Sequence, residues 1–166
     1  MLNKKNNIIL IIIFFIILLS IISALIIEHA LGHKPCSLCL YERVPYVLSA
    51  LLIIKIFFYK KYEKITLLIL FLVFIFSSLL AFYHFGIEQG FFSESFVCNL
   101  ENQSVTLTKE QLLKELNKNI VSCKEVTFTI LGVSLAAINT ILSIVLSIIF
   151  LKLFFNYGSS STSQYK

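Results

Sequence analysis

The chain has 166 residues, 58% of them hydrophobic, and a mean hydropathy of +0.90. A soluble domain of that length needs far more polar surface, so composition excludes an ordinary water-soluble fold and indicates an integral membrane protein. The net charge of +5 comes from 14 Lys and Arg against nine Glu and no Asp, divided among short segments between apolar runs; such a distribution reads as topology signals, not as a nucleic-acid surface.

Residues 8–27 carry no charge. Twenty residues at about 1.5 Å each cover a hydrocarbon core of roughly 30 Å. Lys4 and Lys5 ahead of the run would suit a signal peptide. The run is longer than the usual core of about 7–15 residues, however, and no small-residue cleavage site follows, so an uncleaved first helix is expected. The second span is expected over 40–59, with Glu42 and Arg43 at one end and Lys55 near the other. A third covers 65–85 and a fourth 127–151. In the fourth, Gly132, Ser134, Ala136 and Ala137 are small residues that let helices approach closely, and Asn139 offers an interhelical hydrogen bond at mid-depth. Residues 157–166 read as a flexible tail. The expected fold class is all-α: a four-transmembrane-helix bundle forming one domain over residues 1–166.

Four spans put both termini on one side. Segments 1–7, 60–64 and 152–166 hold seven Lys in 27 residues, against five Lys in 53 for segments 28–39 and 86–126. The denser basic side is expected to be cytoplasmic. All four cysteines then face outward, where an oxidising compartment lets disulfides persist.

The cysteines form two pairs, Cys36/Cys39 and Cys98/Cys123. Pro35 suits the first turn of a helix, its ring presetting φ and its missing N–H costing nothing there. A helix beginning at Pro35 places Cys36, Cys39 and Arg43 on one face. Free N–H groups at the helix start and a nearby guanidinium both favour a thiolate, the reactive form in disulfide exchange. A redox-active dithiol at the membrane face is the chemical sense of this stretch, and Arg43 there could hold an electronegative oxygen of a membrane-dissolved partner. Zinc is the competing use of Cys-x-x-Cys, but a four-cysteine site needs two close pairs, and His29, His33 and His84 show no tight spacing. No metal ligand is therefore expected. A structural Cys98–Cys123 disulfide closing a loop of about 26 residues would stabilise by roughly 3–4 kcal/mol.

The second outer loop contains TLTKEQLLKELNKNI (106–120). Thr108 and Gln111 form a capping box, and Leu112, Leu113, Leu116 and Ile120 line one face. A short amphipathic helix resting on the membrane surface is expected, holding the loop low enough for Cys98 or Cys123 to reach Cys36 and Cys39.

PCSLCLYER (35–43), YHFGIEQG (83–90), two later cysteines about 25 residues apart and LGVSLAAIN (131–139) together resemble the DsbB family of bacterial inner-membrane thiol:quinone oxidoreductases, over nearly the whole chain. The resemblance implies that Cys98 forms the mixed disulfide with a periplasmic DsbA-like oxidase and that Cys123 is its loop partner. Cys36 would exchange with that pair, and Cys39 would lie nearest the quinone as an activated thiolate. Arg43 would bind the quinone, ubiquinone or menaquinone, with Glu42 and His84 secondary contributors. The chain departs from relatives in lacking Trp, with Phe91 and Phe92 where tryptophan is common, and in having no Pro close before Cys98. The partners implied are the DsbA-like oxidase, the membrane quinone pool and the bilayer, with no nucleic acid.

The implied relay agrees with redox energetics. A DsbA-type disulfide lies near −120 mV, and about 30 mV corresponds to 1.4 kcal/mol for two electrons, so its regeneration calls for an oxidant stronger than glutathione. A sibling oxidase with a dedicated partner is a near alternative; a disulfide-stabilised scaffold or metal-binding membrane protein is a distant one. Arg43 on the cysteine face separates these, because neither structural disulfides nor zinc require it.

Overall fold

The computed structural model describes residues 4–59, 62–93, 123, 129–130 and 132–162. Helix α1 spans Lys4–His29, α2 Ser37–Phe58, α3 Glu63–Glu88 and α4 Leu135–Thr162, and a two-residue hairpin of β1 (Thr129–Ile130) and β2 (Val133–Ser134) precedes α4. Four helices are long and apolar enough to cross a membrane. The expected four-helix architecture is therefore the fold.

Helix is the form these runs must take, because hydrocarbon offers no partner for a free N–H or C=O. Aliphatic and aromatic side chains ring the outside, among them Phe15, Leu19, Leu51, Phe76, Leu79 and Ile148. On a soluble protein that much exposed apolar surface would be a liability; here it is the lipid-facing belt. The core is a narrower stripe. Leu10, Ile13 and Ile17 of α1, Tyr46, Ile53 and Ile56 of α2, Leu67, Leu70 and Phe74 of α3, and Leu146, Phe150 and Leu153 of α4 pack together. Phe74 stacks on Phe150 at 5.5 Å and meets Tyr46 edge-on at 5.6 Å. The closest helix pair is α3 with α4, while α2 bridges α3 to α1.

Three boundaries differ from the expected ones. The second helix begins at Ser37, with Cys36 as its N-cap (φ −72°, ψ 168°), so Pro35 lies just ahead of the helix and not in its first turn. The fourth helix begins at Leu135, eight residues later than expected. Thr129 pairs with Ser134 and Ile130 with Val133 around Gly132, whose φ of +83° suits glycine alone. Ser134 then caps the helix, its Oγ accepting from Ala137 N–H at 3.2 Å. Gly132 and Ser134 thus start α4 and do not line a helix interface. The helix also continues to Thr162, past residue 157, where the tail was expected to begin.

At its far end α3 closes around Gly86, whose carbonyl accepts from Phe91 N–H (2.8 Å) and Phe92 N–H (3.2 Å), with Gly90 at φ +77°. The Phe92 ring folds over Gly86 so closely that a Cβ there would lie 2.3 Å from it. Phe92 then rests on Tyr83, ring centroids 5.5 Å apart. The amphipathic segment expected over 106–120 lies outside the described residues.

Candidate functional site

The start of α2 builds the site. As N-cap, Cys36 turns its sulfur back over the first turn, where Sγ accepts from Cys39 N–H at 3.3 Å. The two sulfurs share a thiol–thiol hydrogen bond at 2.9 Å. Both cysteines are free thiols. From α3, His84 Nε2 reaches to 3.5 Å from Cys36 Sγ. Three groups therefore converge on Cys36, and its pKa is drawn down to about 4, first by the Cys39 thiol hydrogen bond and then by His84, against the opposing effect of burial. The family resemblance assigns the activated thiolate to Cys39; the geometry gathers the hydrogen-bond donors at Cys36.

Behind the thiols runs a buried polar chain. His84 Nδ1 sits 2.7 Å from Glu42 Oε1, and the other carboxylate oxygen of Glu42 accepts from Asn139 Nδ2 at 2.6 Å. Tyr46 donates its hydroxyl proton to Asn139 Oδ1, and its oxygen lies 3.2 Å from Ser143, which is 3.1 Å from Ser77. One turn separates Glu42 from Tyr46 and another separates Asn139 from Ser143, so α2 and α4 present matching polar stripes. Glu42 and His84 are 7% and 3% exposed. Burial of that depth is tolerable because each polar atom is satisfied by its neighbour.

Arg43 points the other way around α2. Its Nη1 pairs with Glu28 Oε2 on α1, each side chain about one-quarter exposed. A cavity of about 260 Å³ lies between these elements, lined by Cys36, Cys39, Glu42, Arg43 and His84, with Ile21, Ala24 and Ile27 of α1 and Leu142 of α4 as apolar walls. On the opposite flank, Cys123 is buried in one cluster with Cys36, Leu38 and Ile87, and it is disulfide-bonded. The described site thus has a bonded cysteine packed with Cys36 and a greasy cavity that Cys36 also lines.

Of the residues singled out in the sequence, Cys36, Cys39, Glu42, Arg43 and His84 meet at this cavity and Cys123 abuts it, whereas Cys98 lies outside the described residues. Glu42 and His84, expected as secondary contributors, form its buried centre. Asn139 makes the interhelical hydrogen bonds expected of it, and their partners are Glu42 and Tyr46. Glu28, Tyr46 and Glu88 escaped the sequence reading. The available signal was spacing: Tyr46 stands four residues beyond Glu42, and Glu88 four beyond His84.

The family model described as disulfide bond formation protein DsbB matches residues 6–153. The uncharacterized protein RP370 of Rickettsia prowazekii is 29% identical over 144 residues, 86% of this chain and 83% of that protein. No solved structure matches the chain.

Proposed function

Since the chain belongs to the DsbB family, a family of membrane oxidoreductases in the machinery of disulfide formation, we propose that it oxidises the dithiol of a periplasmic DsbA-like protein and delivers the electrons to a membrane quinone. The observation that carries this reading is the placement of a free dithiol between a buried, disulfide-bonded Cys123 and an apolar cavity edged by Arg43 and His84. Cysteines that only staple a fold need no such cavity.

The electron balance is simple. A reduced partner exchanges with a Cys98–Cys123 disulfide, leaving two loop thiols and an oxidised partner. The loop thiols in turn reduce a Cys36–Cys39 disulfide, and the regenerated inner dithiol surrenders two electrons and two protons to the acceptor. Cys36 Sγ is the sulfur best prepared to act as thiolate, and His84, backed by Glu42, is placed to take up a proton leaving it. Arg43 is placed to orient a carbonyl oxygen.

The cavity suits a quinone head group. At about 260 Å³ it lies just below the roughly 300–1,000 Å³ common for small-molecule sites, a size for a single ring. Arg43 and His84 are the lining residues that would hold the quinone oxygens, and Ile21, Ala24 and Ile27 of α1 would offer an apolar wall to its tail. A quinone bound there supplies the two-electron acceptor; the chain supplies position and proton carriers. In this reading the cysteine side is periplasmic and both termini are cytoplasmic.

Rapid mixing of the purified chain with a reduced DsbA-like protein and a soluble quinone analogue tests the proposal. One quinone should be reduced for each partner disulfide formed, and Cys36→Ser and Cys39→Ser should each abolish it. Quinone reduction persisting in either variant would overturn the route through the inner pair.

A further inference from the structure

The buried side chains around the inner dithiol have a second chemical capacity. Cys36 Sγ, Cys39 Sγ and the His84 ring nitrogen all lie within 4.8 Å of one another. A tetrahedral zinc site with Zn–S near 2.3 Å and Zn–N near 2.0 Å sets neighbouring S···S at about 3.8 Å and S···N at about 3.5 Å. The Cys36–His84 separation is 3.5 Å, and the two sulfurs, at 2.9 Å, need to part by about 1 Å. A rotamer adjustment of Cys39 in the first turn of α2 supplies that.

Two further observations point to a ligand. His84 presents Nε2 to the sulfurs because Nδ1 is occupied by Glu42; a carboxylate behind a ligating histidine fixes its tautomer and raises its basicity. On the other side, Glu88 is 7% exposed, its Oε1 lies 3.9 Å from the same Nε2, and its Oε2 is buried without a hydrogen-bond partner among the described residues. A buried carboxylate oxygen of this kind, beside the histidine, is chemically suited to be a fourth ligand to the three atoms that already lie together.

We propose that the reduced chain binds one thiophilic divalent cation, of the zinc class, through Cys36, Cys39, His84 and Glu88, and that the bound ion holds the dithiol out of redox exchange. Two sulfurs and an imidazole select such ions over magnesium or calcium, which take oxygen ligands. Binding exchanges any remaining thiol protons for the metal and transfers no electrons. A Cys36–Cys39 disulfide has no thiolate to offer, so the site exists only in the reduced state. The inference shares its thiols with the function proposed above but needs neither quinone nor partner to be tested.

The experiment uses full-length chain carrying Cys98→Ser and Cys123→Ser, reduced, so that only the inner thiols remain. Titration with Cd²⁺ alone, followed by thiolate-to-metal charge transfer in the ultraviolet, should saturate at one ion per chain. Co²⁺ should give the intense visible bands of four-coordinate geometry. Oxidation of Cys36 and Cys39 should abolish both signals. Glu88→Gln should weaken Co²⁺ binding about tenfold or more, and His84→Ala should weaken it further; Glu88→Gln alone decides the point if His84→Ala fails to fold. Saturating Zn²⁺ should slow oxidation of the inner dithiol by a soluble disulfide at least tenfold. Half an ion per chain, which means thiols shared between two molecules, would overturn the assignment, as would equal affinity in Glu88→Gln and the parent. Neither result touches the redox function, which fails only if the thiols cannot reduce a quinone.

Discussion

At Cys36 a single sulfur caps a helix, accepts from Cys39 N–H, shares a hydrogen bond with the Cys39 thiol and faces an imidazole. Each of these favours negative charge on sulfur, so the thiolate should be lost only as pH falls through about 4. With the outer disulfide intact and the inner pair reduced, thiolate absorbance near 240 nm should stay flat from pH 8 to pH 6 and collapse in the acid range. A midpoint near the ordinary thiol value of about 8.5 would remove Cys36 as the prepared nucleophile. Arg43 governs the acceptor side. A charge-assisted hydrogen bond from it is worth roughly 1.5–3 kcal/mol, so Arg43→Ala should raise the apparent KM for quinone by about one to two orders of magnitude. Arg43→Lys should restore part of this, lacking the planar fork. Single-turnover oxidation of the partner should remain near the parent rate in both variants. Steady-state quinone reduction beside that measurement separates the steps, and an unchanged quinone KM in Arg43→Ala would detach the guanidinium from the cavity.

Among the elements, the four long helices were legible because uninterrupted apolar runs of about 20 residues admit hardly any other structure. Their starts were less so. The stretch TFTILGVSL (127–135) reads as a continuous apolar run, and one glycine was the sole mark of the hairpin that delays α4. Pro35 signalled a helix start correctly to within two residues; what it could not convey was that the N-cap would be the first of the two thiols. Ser134 was read as a small interface residue and is a cap instead. Ser134→Ala removes the acceptor for Ala137 N–H. Capping losses of this kind cost about 1 kcal/mol, so the detergent-solubilised variant should melt a few degrees below the parent. Identical melting would show that the hairpin, not the serine, sets the start of α4.

Over the whole molecule, sequence revealed which residues could do chemistry but not which would meet. Cys36 and His84 are 48 positions apart on different helices, and only the packing of α2 against α3 brings imidazole to sulfur. Glu42 looked like a charge at a helix end, and its burial against Asn139 of α4 depends on a third helix. The polar chain sits toward one end of the bundle and the aromatic core of Tyr46, Phe74 and Phe150 below it, consistent with chemistry at one membrane face. That face should be periplasmic. In intact cells, after reduction, a membrane-impermeant thiol reagent should label the outer loop at Cys98, Cys123 being buried. Labelling only after the inner membrane is breached would invert the topology and end the proposed partnership.

The pairing of Arg43 with Glu28 also bears on how the chain is made. Arg43 is the single arginine of the protein, and α2, which carries it with Glu42 and Lys55, is the least hydropathic of the four spans. An arginine in mid-helix costs roughly 2.5–3.5 kcal/mol at insertion, less near an end, and a carboxylate on the preceding helix offsets part of that. The first helix, uncharged over residues 8–27, needs no such help. It should therefore enter the bilayer first and serve as the docking post for the second, the two inserting as a hairpin during synthesis. Fused alone to a glycosylation reporter, α2 should insert inefficiently; preceded by α1 it should insert nearly fully, and Glu28→Ala should remove part of that gain. Equal insertion of α2 with and without α1 would mean that the ion pair forms only after both helices have already crossed.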